Sequence, residues 1–386
     1  MINRHLLVLN LGSSSLKFSL FSIENKKLKS LVMSGMISSN ANKSILLYQS
    51  KGKKQQINYA VGNNLKAWWQ YIHDLLKDFP IEYVGFRVVH DGEKYQNTVK
   101  VDKQFLLNIK EYNDLAPLHN PQTIELIELV NATWPRTKMA ASFDNAWFQT
   151  LAPEAYLYSL PIKYYEKYGL RKYGFHGLSH EAATIYAAKK LKLTLNQLQI
   201  VSTHLGSGAS IAWFQKGKVK DTTMGFSPNE GLTMATRAGD VPASIVLYLE
   251  QKLKMDTRRI HKMLNAESGL LGLSGMADLR DVLLACGYRI NAYKSSLKFS
   301  AEQKKKAKIA LAVYIYDIKR YLASYIAMSP KLQAIVFTGA VGVNSPIIRK
   351  LVLKDLTIPK NCKIIIAPEG EMLNIANKTL QCLAKK

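Results

Sequence analysis

The side chains in this sequence that could do chemistry are few, and most stand beside glycine. Residues 203–208 read THLGSG and residues 10–15 read NLGSSS, so the tripeptide Leu-Gly-Ser occurs twice, at Leu11, Gly12, Ser13 and at Leu205, Gly206, Ser207. Glycine beside serine lets the backbone take positive φ and turn successive N–H groups toward one point, which makes a nest for an anion. Phosphate is the expected guest. The Gly-Lys-Ser/Thr ending of a P-loop is absent, so a nucleotide would have to be held another way. Plain hairpins also close on Gly-Ser turns. The informative feature is the repetition half a chain apart, which points to a duplicated domain.

Charged candidates surround these turns. Arg87 lies inside the apolar run YVGFRVVH, where it either pairs with a carboxylate or waits for an anion. His176 stands between Gly174 and Gly177 in YGFHGLSH, a setting that favours function over core packing. Asp144 follows the apolar stretch ending at Phe143, where a lone aspartate is more often a helix cap than a catalyst. Arg237 sits in a loop rich in threonine and glycine, and His119 in the proline-bracketed APLHNP. A second kind of cradle follows the short apolar run at 334–337, where TGAVG leads to Ser345 and Pro346 as helix N-cap and first-turn proline. Glu371 is expected in the turn after the last strand.

The elements that must position these groups follow from periodicity. Strand, turn, strand is the reading around each Leu-Gly-Ser, with Leu16, Phe18 and Leu20 alternating with polar residues. Ser179 is expected to cap a helix starting near Glu181. A long helix over about 301–328 carries Leu311, Ile315, Ile318, Leu322 and Tyr325 as a core stripe. The 386 residues exceed what one core supports, and 47% hydrophobic content supplies two, so the chain reads as two α/β domains. No apolar run reaches the roughly 20 residues a bilayer needs, and no signal peptide is expected. Cys286, Cys362 and Cys382 are scattered, which fits a reducing cytoplasm. The net charge of +25 suggests nucleic acid, but the lysine clusters at 51–54 and 304–308 lack interleaved aromatics. A solvated basic surface with no specific nucleic-acid partner is therefore expected.

Taken together, LNLGSSSLKFSLF, FRVVHDGEKY, LAPLHNP, FDNAWFQTLAPEAYLYSLP, KYGFHGLSH, THLGSGAS, DTTMGFSPNEGL, TRAGD and FTGAVGVNS resemble, in this order, the acetate kinase family over essentially the whole chain. The resemblance implies two ribonuclease-H-like domains, the duplicated actin-like ATPase fold, around a central nucleotide cleft. The domains would span 1–150, completed by a helix at 372–386, and 151–371. It implies Mg2+, with Mn2+ as a substitute, organised by Asn10 and Glu371, and ATP or ADP held by Lys17, His204, Leu205, Gly206, Ser207, Gly208, Asp278, Leu279, Arg280, Ala340, Val341, Gly342, Val343 and Asn344. Asp144, His176 and Arg237 match its catalytic positions. Arg87, Val89, Leu118, Phe175 and Pro228 match those that bind acetate or acetyl phosphate. A homodimer is also implied. Ala340, Val343, Ser207 and Met372 stand where the family usually has glycine, glutamate, asparagine and a second glutamate, and Pro242 replaces an aspartate.

The chemistry agrees with these roles. Phosphoryl transfer needs in-line positioning and positive charge about the equatorial oxygens, and little covalent help. A carboxylate acceptor is already ionised at neutral pH, so Asp144 has little to deprotonate, and a positioning or metal-shell role suits it better than general base. A propionate or butyrate kinase of the same family is the neighbouring reading, against which Val89 argues by its size. A catalytically impaired actin-like nucleotide switch is the reading from another class. Arg87, Asp144, His176 and Arg237 together argue against it.

Overall fold

The computed structural model describes residues 4–12, 15–40, 43–117, 119–291 and 293–384. The chain divides into two compact units, residues 1–149 with 370–386 and residues 150–369. The first unit is built on eight strands, β1 (Arg4–Leu11), β2 (Ser15–Glu24), β3 (Lys27–Asn40), β4 (Lys43–Ser50), β5 (Lys53–Tyr59), β6 (Ile81–Val88), β7 (Val99–Lys100) and β8 (Lys138–Phe143), in the spatial order β5-β4-β3-β2-β1-β6-β8-β7. Strand β1 runs antiparallel to β2 and parallel to β6. Every residue of β1 after Arg4 is buried, so Leu6 to Leu9 form a continuous apolar run rather than an alternation. Strand β5 is the opposite case, exposed from Lys53 to Asn58, and its lysines blunt an open sheet edge. Lys51 and Gly52 both take positive φ, 49° and 76°, as a tight two-residue hairpin requires. The basic cluster at 51–54 is thus a turn and an edge.

The Asn120–Thr133 helix packs on β6, and the Glu371–Leu383 helix packs on β1, β6 and β8. Gly85 makes the second contact feasible: a Cβ there would lie 2.2 Å from Thr379 Oγ1 and 3.1 Å from Ile375 Cγ2.

The second unit holds β9 (Gln199–Leu205), β10 (Ala209–Gln215), β11 (Lys218–Thr222), β12 (Ala334–Thr338) and β13 (Lys363–Ile366), in the order β11-β10-β9-β12-β13. Strands β9, β10 and β11 are antiparallel hairpins, while β12 runs parallel to β9 and β13 parallel to β12. The same order and sense recur in β3-β2-β1-β6-β8 of the first unit. Each unit is therefore ribonuclease-H-like, and the chain has the duplicated actin-like ATPase fold that its repeated turns led one to expect. The long helix spans Ala301–Ala327 with a capping box from Ser300 and Gln303. Leu311, Ile318, Leu322 and Tyr325 are buried as the stripe predicts, joined by Tyr314, with Ile315 half-buried. Lys304, Lys305, Lys306 and Lys308 are exposed on its first turns. Among the described residues no helix is long and apolar enough to cross a membrane.

Two local expectations change. The helix in YGFHGLSH starts at Gly177, with His176 as its N-cap in the left-handed region at φ 59° and ψ 23°. The His176 carbonyl accepts from Ser179 N and His180 N, so the helix begins before Ser179 can cap it. Glu371 is the first residue of the Glu371–Leu383 helix rather than part of a turn, with Gly370 as N-cap.

Candidate active site

In the first unit the candidates gather where β1, β6 and β8 end. Parallel neighbours place residues of equal depth side by side, Leu9 against Phe86 and Arg87 against Ser142. Asn10 of β1, Arg87 of β6, Asp144 just beyond β8 and Glu371 at its helix start thereby meet. Arg87 Nη1 donates to Asn10 Oδ1 at 3.1 Å and Nη2 donates to Asp144 Oδ2 at 2.6 Å. Glu371 Oε1 lies 3.3 Å from Arg87 Nε, close enough to pair the charges. Burial alone would lower the Arg87 pKa. The Asp144 carboxylate, then Glu371, outweighs it and holds the guanidinium above its ordinary value. Of the two roles open to Arg87 in the sequence, pairing is realised, yet both terminal nitrogens keep a hydrogen for an anion. Asp144 is held from its backbone too, its N–H donating to Val88 O at 3.0 Å.

Other expected residues of this unit are less closely tied. Val89 is buried at 3% exposure two residues past Arg87. Lys17 is exposed and stands opposite Asn10 in the β1–β2 register. Leu118 lies outside the described residues. His90 and Asp91, which sequence reasoning passed over, are both fully buried. Burial pushes the His90 pKa down to about 3 and the Asp91 pKa up to about 7. Tyr95 N donates to Asp91 Oδ2 at 2.9 Å.

In the second unit a cluster forms about the β9–β10 turn. Gly206 N donates to Gly208 O at 2.9 Å and Ala235 N donates to Ser207 O at 3.1 Å, which tie the turn to the Arg237 loop. A Cβ on Gly208 would lie 3.2 Å from the His176 ring and 3.6 Å from Arg237 Nη1. The glycine thus lets a histidine, a guanidinium and a backbone turn approach one point. His204 stacks on His176 with ring centres 4.3 Å apart, and its Nδ1 lies 2.8 Å from Ser179 Oγ. Arg237 Nη1 donates to Pro228 O at 3.2 Å. Phe175 is buried at 1% exposure beside His176.

The supports of this cluster were not legible as site residues. Asp240 Oδ1 accepts from Gly231 N at 2.8 Å, while its Oδ2 accepts from Arg320 Nη2 at 3.1 Å and from the Tyr321 hydroxyl at 2.5 Å. The Thr233 hydroxyl donates to Asp317. The polar side of the Ala301–Ala327 helix therefore holds the loop that carries Arg237. Tyr158 OH donates to Glu230 Oε2 at 2.5 Å and accepts from Phe226 N at 2.8 Å, fixing the turn at Pro228.

The remaining nucleotide candidates lie in two segments. Arg280 forks onto Asp278 at 3.0 and 2.5 Å and covers the Tyr293 ring at 4.0 Å, while Leu279 is buried. Ala340, Val341, Gly342, Val343 and Asn344 belong to the short Gly339–Asn344 helix after β12. Its first residue decides its place: Gly339 has φ +76°, and a Cβ there would lie 2.5 Å from Leu205 O. Glycine is required at 339, whereas Ala340 occupies a helical position that tolerates a side chain. Among the described residues no three His, Cys, Asp or Glu side chains are grouped to hold a metal ion. Asn10 and Glu371 do meet at Arg87, beside the Asp144 carboxylate. Hard oxygen donors of this kind fit Mg2+, which keeps several waters and takes substrate phosphates as ligands.

Known proteins share this architecture. Residues 5–360 match the profile of the Acetokinase family. The chain is 36% identical to the acetate kinase of Shouchella clausii over 97% of its own length and 98% of that protein's. It is 40% identical to the acetate kinase of Thermoanaerobacter pseudethanolicus, over 91% and 86% of the two lengths. Among solved structures, Porphyromonas gingivalis acetate kinase superposes with a TM-score of 0.83 at 30% identity, covering 98% of this chain and 100% of that one. A propionate kinase from Francisella tularensis superposes with a TM-score of 0.87 at 32% identity and the same coverage. A match of that extent, on a chain whose two units repeat one topology and whose motifs fall at the strand ends, means that the chain belongs to the Acetokinase family.

Proposed function

We propose that this protein is an acetate kinase, transferring the γ-phosphoryl group of ATP reversibly to acetate with Mg2+ to give acetyl phosphate and ADP. The convergence of His176, Arg237 and the Gly208 backbone on one point carries this reading. Such a point suits the equatorial oxygens of a transferring phosphoryl group, where a fixed donor, a guanidinium and backbone N–H groups neutralise charge without reorganising. Arg87 takes the acceptor carboxylate. A carboxylate oxygen forms the new bond to phosphorus, the bond to the bridging oxygen of ADP breaks, and no proton has to move. Asp144, at 1% side-chain exposure and 2.6 Å from Arg87, orients the guanidinium rather than acting as base. Bound Mg2+ would neutralise phosphate charge, with Asn10 and Glu371 in its shell. By the family resemblance, Lys17 and the segments at 204–208, 278–280 and 340–344 take the nucleotide, and Val89, Leu118, Phe175 and Pro228 match the positions that take the acetate methyl group.

The partner is a second copy of the chain. No residue of the Ala243–Gln251 helix is buried, although it exposes Ile245, Leu247 and Tyr248, with Leu253 just beyond, and an apolar helix of that kind calls for a cover. Sedimentation at a dimer's mass supports this; a monomer at micromolar concentration refutes it. The cytoplasm fits three cysteines that form no disulfide. The decisive assay is acyl-phosphate formation from MgATP with acetate, propionate and butyrate in parallel. Acetate should be preferred, and activity should vanish on chelation. Preference for propionate would move the substrate within the family, and transfer to none of the three acids would refute the kinase reading.

A further inference from the structure

The catalytic candidate His176 is held by a chain of buried side chains behind it. Ser202 and His204 lie two apart on β9 and so on one face of the sheet, and Ser210 of β10 stands opposite His204 in the register. The Gly177–Leu191 helix lies over that face, with His180 one turn beyond His176. Ser202 Oγ lies 2.9 Å from His180 Nδ1, His180 Nε2 lies 2.8 Å from Ser210 Oγ, and Ser210 Oγ lies 2.9 Å from His176 Nδ1. Ser202, His180 and Ser210 are all fully buried.

We propose that Ser202, His180 and Ser210 form a hydrogen-bond chain that sets which ring nitrogen of His176 carries its proton, so that His180 and Ser210 are positioning residues for phosphoryl transfer. This rests on the assignment of His176 to the phosphoryl group. Burial, then the neighbouring His204, keeps His180 well below its ordinary pKa, so its ring is neutral and has one donor and one acceptor. It cannot accept from both serines. Its two bonds therefore run one way or the other, and because Ser210 has a single hydrogen, a hydroxyl that donates to His180 Nε2 can only accept from His176 Nδ1, whereas one that accepts from Nε2 keeps its hydrogen for His176. In one sense Ser202 donates to His180 Nδ1, His180 Nε2 donates to Ser210, and the Ser210 hydroxyl donates to His176 Nδ1. His176 then bears its proton on Nε2, where it donates to a phosphoryl oxygen. In the other sense Nε2 presents a lone pair to that oxygen and repels it. A phosphoryl oxygen at Nε2 thus selects the first sense, and the chain fixes the ring while it is selected. The backbone adds to the restraint, since His176 sits in the left-handed region, an unusual place for a side chain of its size and one met at functional sites.

The test uses Ser210→Ala, which removes the hydroxyl and adds no bulk, with Ser202→Ala at the far end as a second variant should the first fold poorly. His176→Ala and the double variant complete a cycle. Ser210→Ala should lower kcat about 10- to 100-fold, the usual effect of removing a partner that orients a reacting group, with KM for acetate and ATP little changed. In the His176→Ala background the same substitution should cost less than about twofold, because residues acting as one unit are not additive. Long-range 1H–15N spectra of histidine-labelled enzyme should show the Nδ1 and Nε2 resonances of His176 move toward a mixture of tautomers. Losses that multiply in both backgrounds, or His176 resonances unchanged in Ser210→Ala and Ser202→Ala, would overturn the chain. A His176→Ala enzyme with full kcat would instead sink the assignment of His176 itself.

Discussion

His90 and Asp91 are adjacent, both fully buried in the first unit, and pull the stability of that unit in opposite directions as pH changes. Asp91 keeps its proton in the native state up to about pH 7, whereas in the unfolded chain it loses it near its ordinary 3.8. Between those values the native state binds more protons than the unfolded one, so the Asp91 contribution falls as pH rises. His90 titrates near 3 when folded and near 6.5 when unfolded, so across that window the unfolded state binds more protons and its contribution rises with pH. The two slopes cancel where the windows overlap. Asp91→Asn keeps the shape and removes the falling part. Its stability relative to wild type should therefore climb from about pH 4 to about pH 7 by about 4 kcal/mol in total, because each pH unit across that window changes the free energy of a one-proton difference by about 1.4 kcal/mol. Urea unfolding followed by tryptophan fluorescence reads this unit well, since Trp68, Trp69, Trp134 and Trp147 lie in it and only Trp213 in the other. Groups titrating elsewhere act equally on both proteins and drop out of the difference. A difference that stays constant from pH 4 to 8 would refute the reasoning.

Arg237→Ala should lower kcat/KM by at least about 100-fold with urea midpoints near wild type, and Arg237→Lys should recover little, since a point charge does not replace a planar fork. Normal turnover in either variant would remove Arg237 from the chemistry. Val89→Ala should favour propionate over acetate by some tens of fold in relative kcat/KM, because a methylene in an apolar pocket is worth roughly 1 to 3 kcal/mol. Unchanged discrimination would mean that Val89 does not line the pocket. Gly339→Ala adds a Cβ 2.5 Å from Leu205 O at a φ of +76°, so the following helix must move; KM for ATP should rise several-fold more than KM for acetate. Equal KM values for ATP in variant and wild type would show that this helix does not set the nucleotide site.

What could be read from the sequence is what local pattern encodes. Strand β1 pairs antiparallel with β2 and β9 with β10, as the strand patterns flanking the two Leu-Gly-Ser repeats led one to expect, Ser13 itself lying outside the described residues, and the apolar stripe on residues 311–325 faces the core. Arg87 was visible because a guanidinium in a buried strand must be answered by something, but its partners come from three other places in the chain and no spacing names them. The Ser179 expectation failed because a left-handed residue at 176 lets the helix start at Gly177, four residues before Glu181, and such a φ at histidine leaves no compositional trace. The Ser202 and Ser210 partners of His180 left no such signal: Ser202, Thr203 and His204 are polar in succession, so no period of two marks one face of β9. The clamp on the Arg237 loop left none, since Asp317, Arg320 and Tyr321 read as the ordinary wet side of a helix.

The Glu371–Leu383 helix that covers Gly85 has a consequence for the birth of the protein. It is made after the second unit, yet it closes the unit begun by residues 1–149, and the 220 residues from 150 to 369 are made in between. At about 5 to 20 residues per second, roughly 10 to 45 seconds pass on the ribosome between β8 and its covering helix. During that interval the sheet of the first unit must wait with Gly85 and its apolar neighbours uncovered, while the second unit, continuous in sequence, is free to finish. Vectorial synthesis thus reverses the order of completion, and the half of the enzyme that starts first is the half that matures last.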